Sequence, residues 1–182
     1  TQQSSSAASD VYKRQVVVCE QLPAGFEDIE LLAGELPKVL ANEQITDRVS
    51  KLEIEKDISK LSLSQLERAM LLYSYIGHAY MWGKSNVANV IPIQISRTWF
   101  EISQKLERPP ILSYASYALN NWKILDPGQP FDVENISIMQ NFLGGVDEDW
   151  FIMIHVAIEY EAKEILTNLK SYFIEKNLEQ SY

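Results

Sequence analysis

His155 lies in the middle of the apolar stretch Trp150–Ile158. Phe151 is one helical turn before it and Glu159 one turn after, so a helix there puts all three on one face. An imidazole among apolar neighbours must still satisfy two ring nitrogens. Either it bonds a nearby backbone carbonyl as a core histidine, or it holds something that enters the protein. Tyr114, followed three and four residues later by Tyr117 and Ala118, forms a second face. That face reads as a packed aromatic cluster or as a pocket wall, since buried aromatics supply much of any core's area. Ser113 and Ser116 read as surface or back-bonded hydroxyls. His78, inside Gly77-His78-Ala79-Tyr80, reads as a buried structural histidine. Two histidines on separate helices, without cysteine or carboxylate at ligand spacing, do not compose a metal site. Gly144-Gly145 lacks the further glycine and preceding strand of a phosphate loop. No Ser/His/Asp or Cys/His set can be assembled, and the lone Cys19 has no histidine near it in sequence to activate it.

These residues must be carried by helices. From Gly25 onward Ile29, Leu32, Ala33 and Leu36 recur at helical steps, with Pro37 as a kink or restart. A short helix is expected over Thr46–Leu52. Ser64-x-x-Glu67 reads as a capping box opening a central helix that runs to Trp82 and ends at Gly83. Ile95, Trp99, Ile102 and Leu106 mark the next helix, and Pro109-Pro110 closes it. Ile111–Trp122 reads as a short buried helix bounded by the turn Asp126-Pro127-Gly128. Asn135–Phe142 reads as another short helix, and Gly144-Gly145 as a break. Asp147, Glu148 and Asp149 then suit the electropositive start of a last helix. Beyond Ile158 that helix keeps Ala162, Ile165, Leu166, Leu169 and Phe173 on one face, which expects a further partner. Val16-Val17-Val18 has strand character. With no internal repeat and no long alternation, the fold class is all-α.

The chain has 182 residues, about one domain, and a net charge of −9. Its basic residues are scattered among acids, which argues against a nucleic-acid partner. No apolar run reaches the roughly 20 residues that span a bilayer. With no secretory leader pattern and a single cysteine, a cytoplasmic location is expected. Residues 1–15 are polar at first, then read as non-native sequence at Asp10–Gln15; they are expected to be a disordered or non-native leader.

Several ordered motifs resemble the indoleamine 2,3-dioxygenase family. They are Leu22-Pro23, Leu36-Pro37, Arg48-Val49-x-Lys51-Leu52, Ala79-Tyr80-Met81-Trp82-Gly83, Pro109-Pro110-Ile111-Leu112-x-Tyr114-Ala115 with Asn121-Trp122 and Asp126-Pro127, Gly144-Gly145, and Trp150-Phe151 with His155 to Glu159. The resemblance implies a small helical N-terminal domain over 16–145 and, over 146–182, the truncated start of a larger haem-binding helical domain. It implies haem b and a reaction of L-tryptophan with dioxygen that gives N-formylkynurenine. Phe151, Tyr114, Tyr117 and Ala118 would wall the indole site. His155 stands where mammalian members carry serine and is similar to the histidine that bonds the indole N–H in related tryptophan dioxygenases. Tyr117 replaces a smaller residue of the mammalian members. The proximal haem ligand and a carboxylate-binding arginine are expected beyond Tyr182, making the chain an N-terminal fragment. The resemblance leaves open a relative that rearranges a modified tryptophan and a non-catalytic helical interaction module.

Overall fold

The computed structural model describes residues 18–85 and 87–179. The expected leader at 1–15, and Val16 and Val17 of the expected strand, lie outside the described residues. Helix α1 (Glu27–Gly34) begins with Glu27, Asp28 and Glu30, acids placed where the helix end is electropositive. Pro37 sits in the first turn of α2 (Leu36–Ala41), where its missing N–H costs nothing, so it restarts the helix. The chain reverses through Glu43 (φ 54°) into α3 (Ile45–Ser50).

Helix α4 (Leu63–Trp82) is central, with every residue from Ala69 to Gly77 buried. Its capping box is Ser62 with Gln65, not Ser64 with Glu67. Ser62 Oγ accepts from Gln65 N (3.3 Å), and Gln65 Oε1 accepts from Ser62 N (2.9 Å). Ser62 has the extended backbone that an N-cap needs, whereas Ser64 is already helical. Glu67 instead accepts from Arg108 (2.7 Å) and Asn120 (3.0 Å).

Helix α5 (Ile93–Lys105) packs against α4, with Ile95, Trp99 and Ile102 buried. A Cβ on Gly77 would sit 2.5 Å from Trp99 Cζ3, so only glycine lets the indole lie this close to α4. The helix stops before the prolines, turning through Glu107 (φ 52°) with Arg108 N bonded to Ser103 O (3.0 Å). Helices α1 to α5 share one apolar core.

The segment Ile111–Trp122 is not a buried helix. Ile111 is exposed, and only Ala115–Leu119 forms a turn, of the wide π type, closed by Asn120 N to Ala115 O at 2.8 Å. That turn points Ser116 and Ala118 inward and leaves Tyr114 outward. Strand β1 (Trp122–Ile124) follows, antiparallel to β2 (Ile136–Ile138), with Trp122 opposite Ile138. The helix expected over Asn135–Phe142 is therefore this strand, preceded by a 3₁₀ turn at Val133–Asn135. Ile136 and Ile138 are β-branched and spaced two apart, which suits a strand with one packed face. Asn135 Oδ1 accepts from Asp126 N (2.9 Å) and ties that strand to the Asp126-Pro127-Gly128 turn. The fold is mostly helical with this one small ribbon.

Helix α6 (Val146–Glu179) follows the Gly144-Gly145 break. Glu148 folds back to accept from Phe142 N (2.7 Å), Leu143 N (2.9 Å) and Gly144 N (3.1 Å). Ile152 and Val156 join Ala118, Trp122 and Ile136 in a second, smaller core. Farther along, Ile165, Leu166 and Leu169 are exposed; the side chain of Phe173 lies outside the described residues. Among the described residues no helix is long and apolar enough to cross a membrane.

Candidate functional site

The π turn and the first turns of α6 bring four of the five expected site residues to one surface. Phe151 and His155 lie one turn apart on α6, ring centroids 4.2 Å apart. Tyr114 meets His155 edge-on at 5.9 Å, and Tyr117 meets Phe151 at 6.1 Å. Tyr114 and Phe151 are 44% and 51% exposed, so this is an open aromatic face rather than a sealed core. Ala118 is not on it. Fully buried in the smaller core with Ile152 and Val156, it lies behind the face.

His155 makes the local backbone bond that its sequence context suggested. Its Nδ1 is 2.7 Å from Phe151 O. A carbonyl can only accept, so a neutral imidazole carries its proton on Nδ1, and Nε2 keeps a lone pair. The local backbone bond therefore selects the tautomer that can accept a donor at the aromatic face. Tyr114 OH donates to Glu159 Oε1 at 3.3 Å. Burial raises the phenol's pKa, and the Glu159 charge and hydrogen bond raise it further. Burial and the Glu148 charge likewise raise Tyr117. Both phenols stay protonated and neutral at physiological pH.

His78 is local and structural. Its Nδ1 lies 3.0 Å from Ser74 O and its ring meets Trp99 edge-on at 6.2 Å. Among the described residues no group of three His, Cys, Asp or Glu could hold a metal ion.

Sequence reading missed the polar supports of the π turn. Arg108 bridges Glu67 and Ser116 Oγ (3.0 Å), and Asn121 bonds Tyr75, Tyr117 and Gln140. The signal was present in Asn120-Asn121, two amides within an otherwise apolar run, because buried amides need several partners.

Residues 14–181 match the family model described as indoleamine 2,3-dioxygenase. The chain belongs to the indoleamine 2,3-dioxygenase family. Its relatives include indoleamine 2,3-dioxygenase 1 of Rattus norvegicus, 36% identical over 146 residues, covering 79% of this chain and 36% of the relative. The indoleamine 2,3-dioxygenase of Saccharomyces cerevisiae is 30% identical over 139 residues, covering 71% and 30%. A protein named myoglobin from Haliotis madaka is 28% identical over 141 residues, covering 76% and 35%. The chain thus spans about a third of the length of the curated relatives it matches. In this member of the indoleamine 2,3-dioxygenase family, the aromatic face joins two segments far apart in sequence, the Pro-Pro run and the start of α6.

Proposed function

We propose that the protein containing this chain is a haem-dependent dioxygenase that cleaves the indole C2–C3 bond of L-tryptophan to give N-formylkynurenine. The observation that carries this reading is the 2.7 Å contact of His155 Nδ1 with Phe151 O, which leaves Nε2 of a neutral imidazole to accept an indole N–H beside Phe151 and Tyr114. The residues fit one wall of such a site, because the exposed rings of Tyr114 and Phe151 offer stacking and edge contacts to a planar aromatic group. Haem, when bound, supplies the activation of dioxygen. Both oxygen atoms end on the product, one on each carbon of the broken bond. This chain's residues bind and orient. Phe151 and Tyr117 hold the ring plane, Tyr114 covers its edge, and His155 sets the in-plane rotation through the indole nitrogen.

On this reading the chain is the N-terminal part of a cytoplasmic enzyme, with the small helical domain ending near Gly145. In such an enzyme the proximal ligand, the carboxylate-binding arginine and a cover for the exposed side of α6 would come from outside these 182 residues. The share of each relative that the chain spans supports the partial length; the rest of this reading follows from the family resemblance.

The relative named myoglobin favours a second reading, a haem protein that holds oxygen without cleaving tryptophan. One experiment separates the two. The complete reading frame is reconstituted with haemin, reduced, and assayed for N-formylkynurenine and for a stable oxygen complex. Tryptophan turnover supports the dioxygenase. A long-lived oxygen complex with no product supports the second reading. Stoichiometric five-coordinate haem and turnover by the 182-residue chain alone would sink the fragment assignment.

A further inference from the structure

The π turn that carries Tyr117 is a wide, rarely formed helix of a single turn and gains from support outside itself. Beside the Arg108 bond to Ser116, it receives that support at the carbonyl of Tyr117 itself. Tyr117 O accepts from Asn121 Nδ2 (3.1 Å) and from Tyr75 Oη (3.4 Å). The Asn121 amide is wholly buried and completely used. Nδ2 also reaches Tyr75 Oη and Gln140 O, each at 2.8 Å, while Oδ1 accepts from Gln140 N at 2.8 Å. Two hydrogens shared among three acceptors, with the oxygen engaged as well, leave the amide a single orientation. Gln140 passes the anchor on, its Nε2 donating to Ala33 O (2.8 Å) at α1. The Tyr117 ring is held too, stacked on Tyr75 at 5.9 Å with 14° between the planes.

The two tyrosines of the face are therefore held differently. Tyr117 is fixed through backbone and ring to the main core. Tyr114 has one long hydroxyl bond to Glu159 and is 44% exposed. One wall is rigid and the other can yield.

We propose that Asn121 is a positioning residue which, with Tyr75 and Gln140, fixes Tyr117 opposite Phe151 and so limits the substituents that an indole substrate can carry. The proposal rests on the tryptophan-cleaving reading above. Asn121 touches no substrate; it acts through the place it gives the Tyr117 ring. Substituting aspartate keeps the size but sets a carboxylate against the Tyr117 and Gln140 carbonyl oxygens, all of them acceptors. The π turn must then shift, and the rigid wall with it.

The test uses the complete haem-loaded enzyme as wild type, Asn121→Asp and Tyr75→Phe. kcat/KM is measured for L-tryptophan and for tryptophans methylated at each benzo position, with haem content and Tm alongside. One extra methyl group against a fixed wall is worth roughly 10-fold or more in selectivity. Asn121→Asp should move the ratio of the most rejected methyl-tryptophan to tryptophan by about that factor in favour of the bulkier substrate. Tyr75→Phe, which removes one hydroxyl and keeps the stack, should move it the same way by less. If Asn121→Asp does not fold, Tyr75→Phe decides alone. Equal losses for all substrates, in proportion to lost folded enzyme, overturn the proposal and leave Asn121 purely structural. A wild type that turns over tryptophan while the variants keep its selectivity overturns the proposal alone. A wild type with no tryptophan turnover overturns the enzymatic reading and the proposal together.

Discussion

The core around α4 and the face on α6 are built from the same kinds of residue and put them to opposite uses. Around α4, Tyr73, Tyr75 and Trp99 are at most 2% exposed and locked between helices. At the aromatic face, Phe151 of α6 and Tyr114, just before the π turn, stand about half exposed, in ring contact with His155 and Tyr117. Buried aromatics supply area and rigidity. Exposed ones in a cluster contribute little to stability and mark a surface that something else is meant to cover. The buried aromatics thus lie on one side of the π turn and the exposed ones on the other. Asn121 is the link between them.

Trp99 breaks this comparison most directly. Its indole N–H is buried without a partner, so packing alone holds the ring there. Trp99→Ala should cost about 3–5 kcal/mol in unfolding free energy, the usual range for a large core aromatic. Phe151→Ala, at a half-exposed position, should cost less than about 1 kcal/mol while abolishing tight indole binding in the complete enzyme. Urea denaturation followed by far-UV circular dichroism compares the two. Similar destabilisation by both would show that the face is part of the core after all.

The division should also appear in alkaline solution. Burial raises the phenol pKa values of Tyr73 and Tyr75, in Tyr75 with help from Tyr117 and Glu148. A group whose pKa is raised on folding keeps its full stabilising effect below the unfolded value, here about 10. That stability is lost as pH climbs above it toward the folded value. Lys56 adds to the same loss. Burial lowers its pKa, but hydrogen bonds to Asp28 and Glu53 outweigh this and raise it overall. The urea midpoint should be flat through neutral pH and fall above about pH 10. Tyr75→Phe should flatten that fall measurably and Tyr114→Phe much less, because Tyr114 is far more exposed. An equal effect of both would contradict the contrast in burial.

His155 sharpens the other side of the comparison. In the complete enzyme, His155→Ala should raise the barrier for tryptophan by about 1–3 kcal/mol, the usual worth of a lost buried hydrogen bond. Its effect on stability should be small, since its main protein bond is to its own helix. The loss should disappear with 1-methyltryptophan, which has no indole N–H to offer. An equal loss with that substrate would assign the imidazole a packing role.

Much of this division could be read from the chain before any coordinates. Helical periodicity placed α1, α4 and α5, and the spacing of Phe151, His155 and Glu159 put them on one face of α6. Where the reading failed, long-range pairing had overridden local pattern. Ile136 and Ile138 looked helical in isolation, yet they pair with Ile124 and Trp122 across a turn that Asn135 ties down. Ile111–Trp122 looked like a buried helix because its composition is apolar. Composition does not show that Asn121 would bond Gln140, nineteen residues on, and break the segment into a π turn and a strand. Ala118 was assigned to the open face by spacing along an α-helix. The wider π turn rotates it inward instead. Local spacing reveals a face; what stands behind it depends on distant partners.

The smallest effect tests how finely such local signals can be read. Two serines, Ser62 and Ser64, precede the central helix, and their hydroxyls lie 3.1 Å apart. Only Ser62 has the extended backbone of an N-cap, and only its oxygen accepts from the N–H three residues ahead. Gln65 returns the bond to Ser62 N at 2.9 Å. Ser62→Ala should therefore cost about 1 kcal/mol, as N-cap removals do. Ser64→Ala should cost nothing measurable or stabilise slightly, because alanine is the better residue within a helix turn. α4 runs through the core, so the penalty should appear as a shift in the global urea midpoint rather than as fraying of one end. The two alanine variants and their double mutant give the answer from three denaturation curves. If Ser64→Ala proved the costlier change, the helix would begin two residues later, with the box at Ser64 and Glu67. Glu67 would then be withdrawn from Arg108 and Asn120, and the π turn would lose one of its anchors to α4.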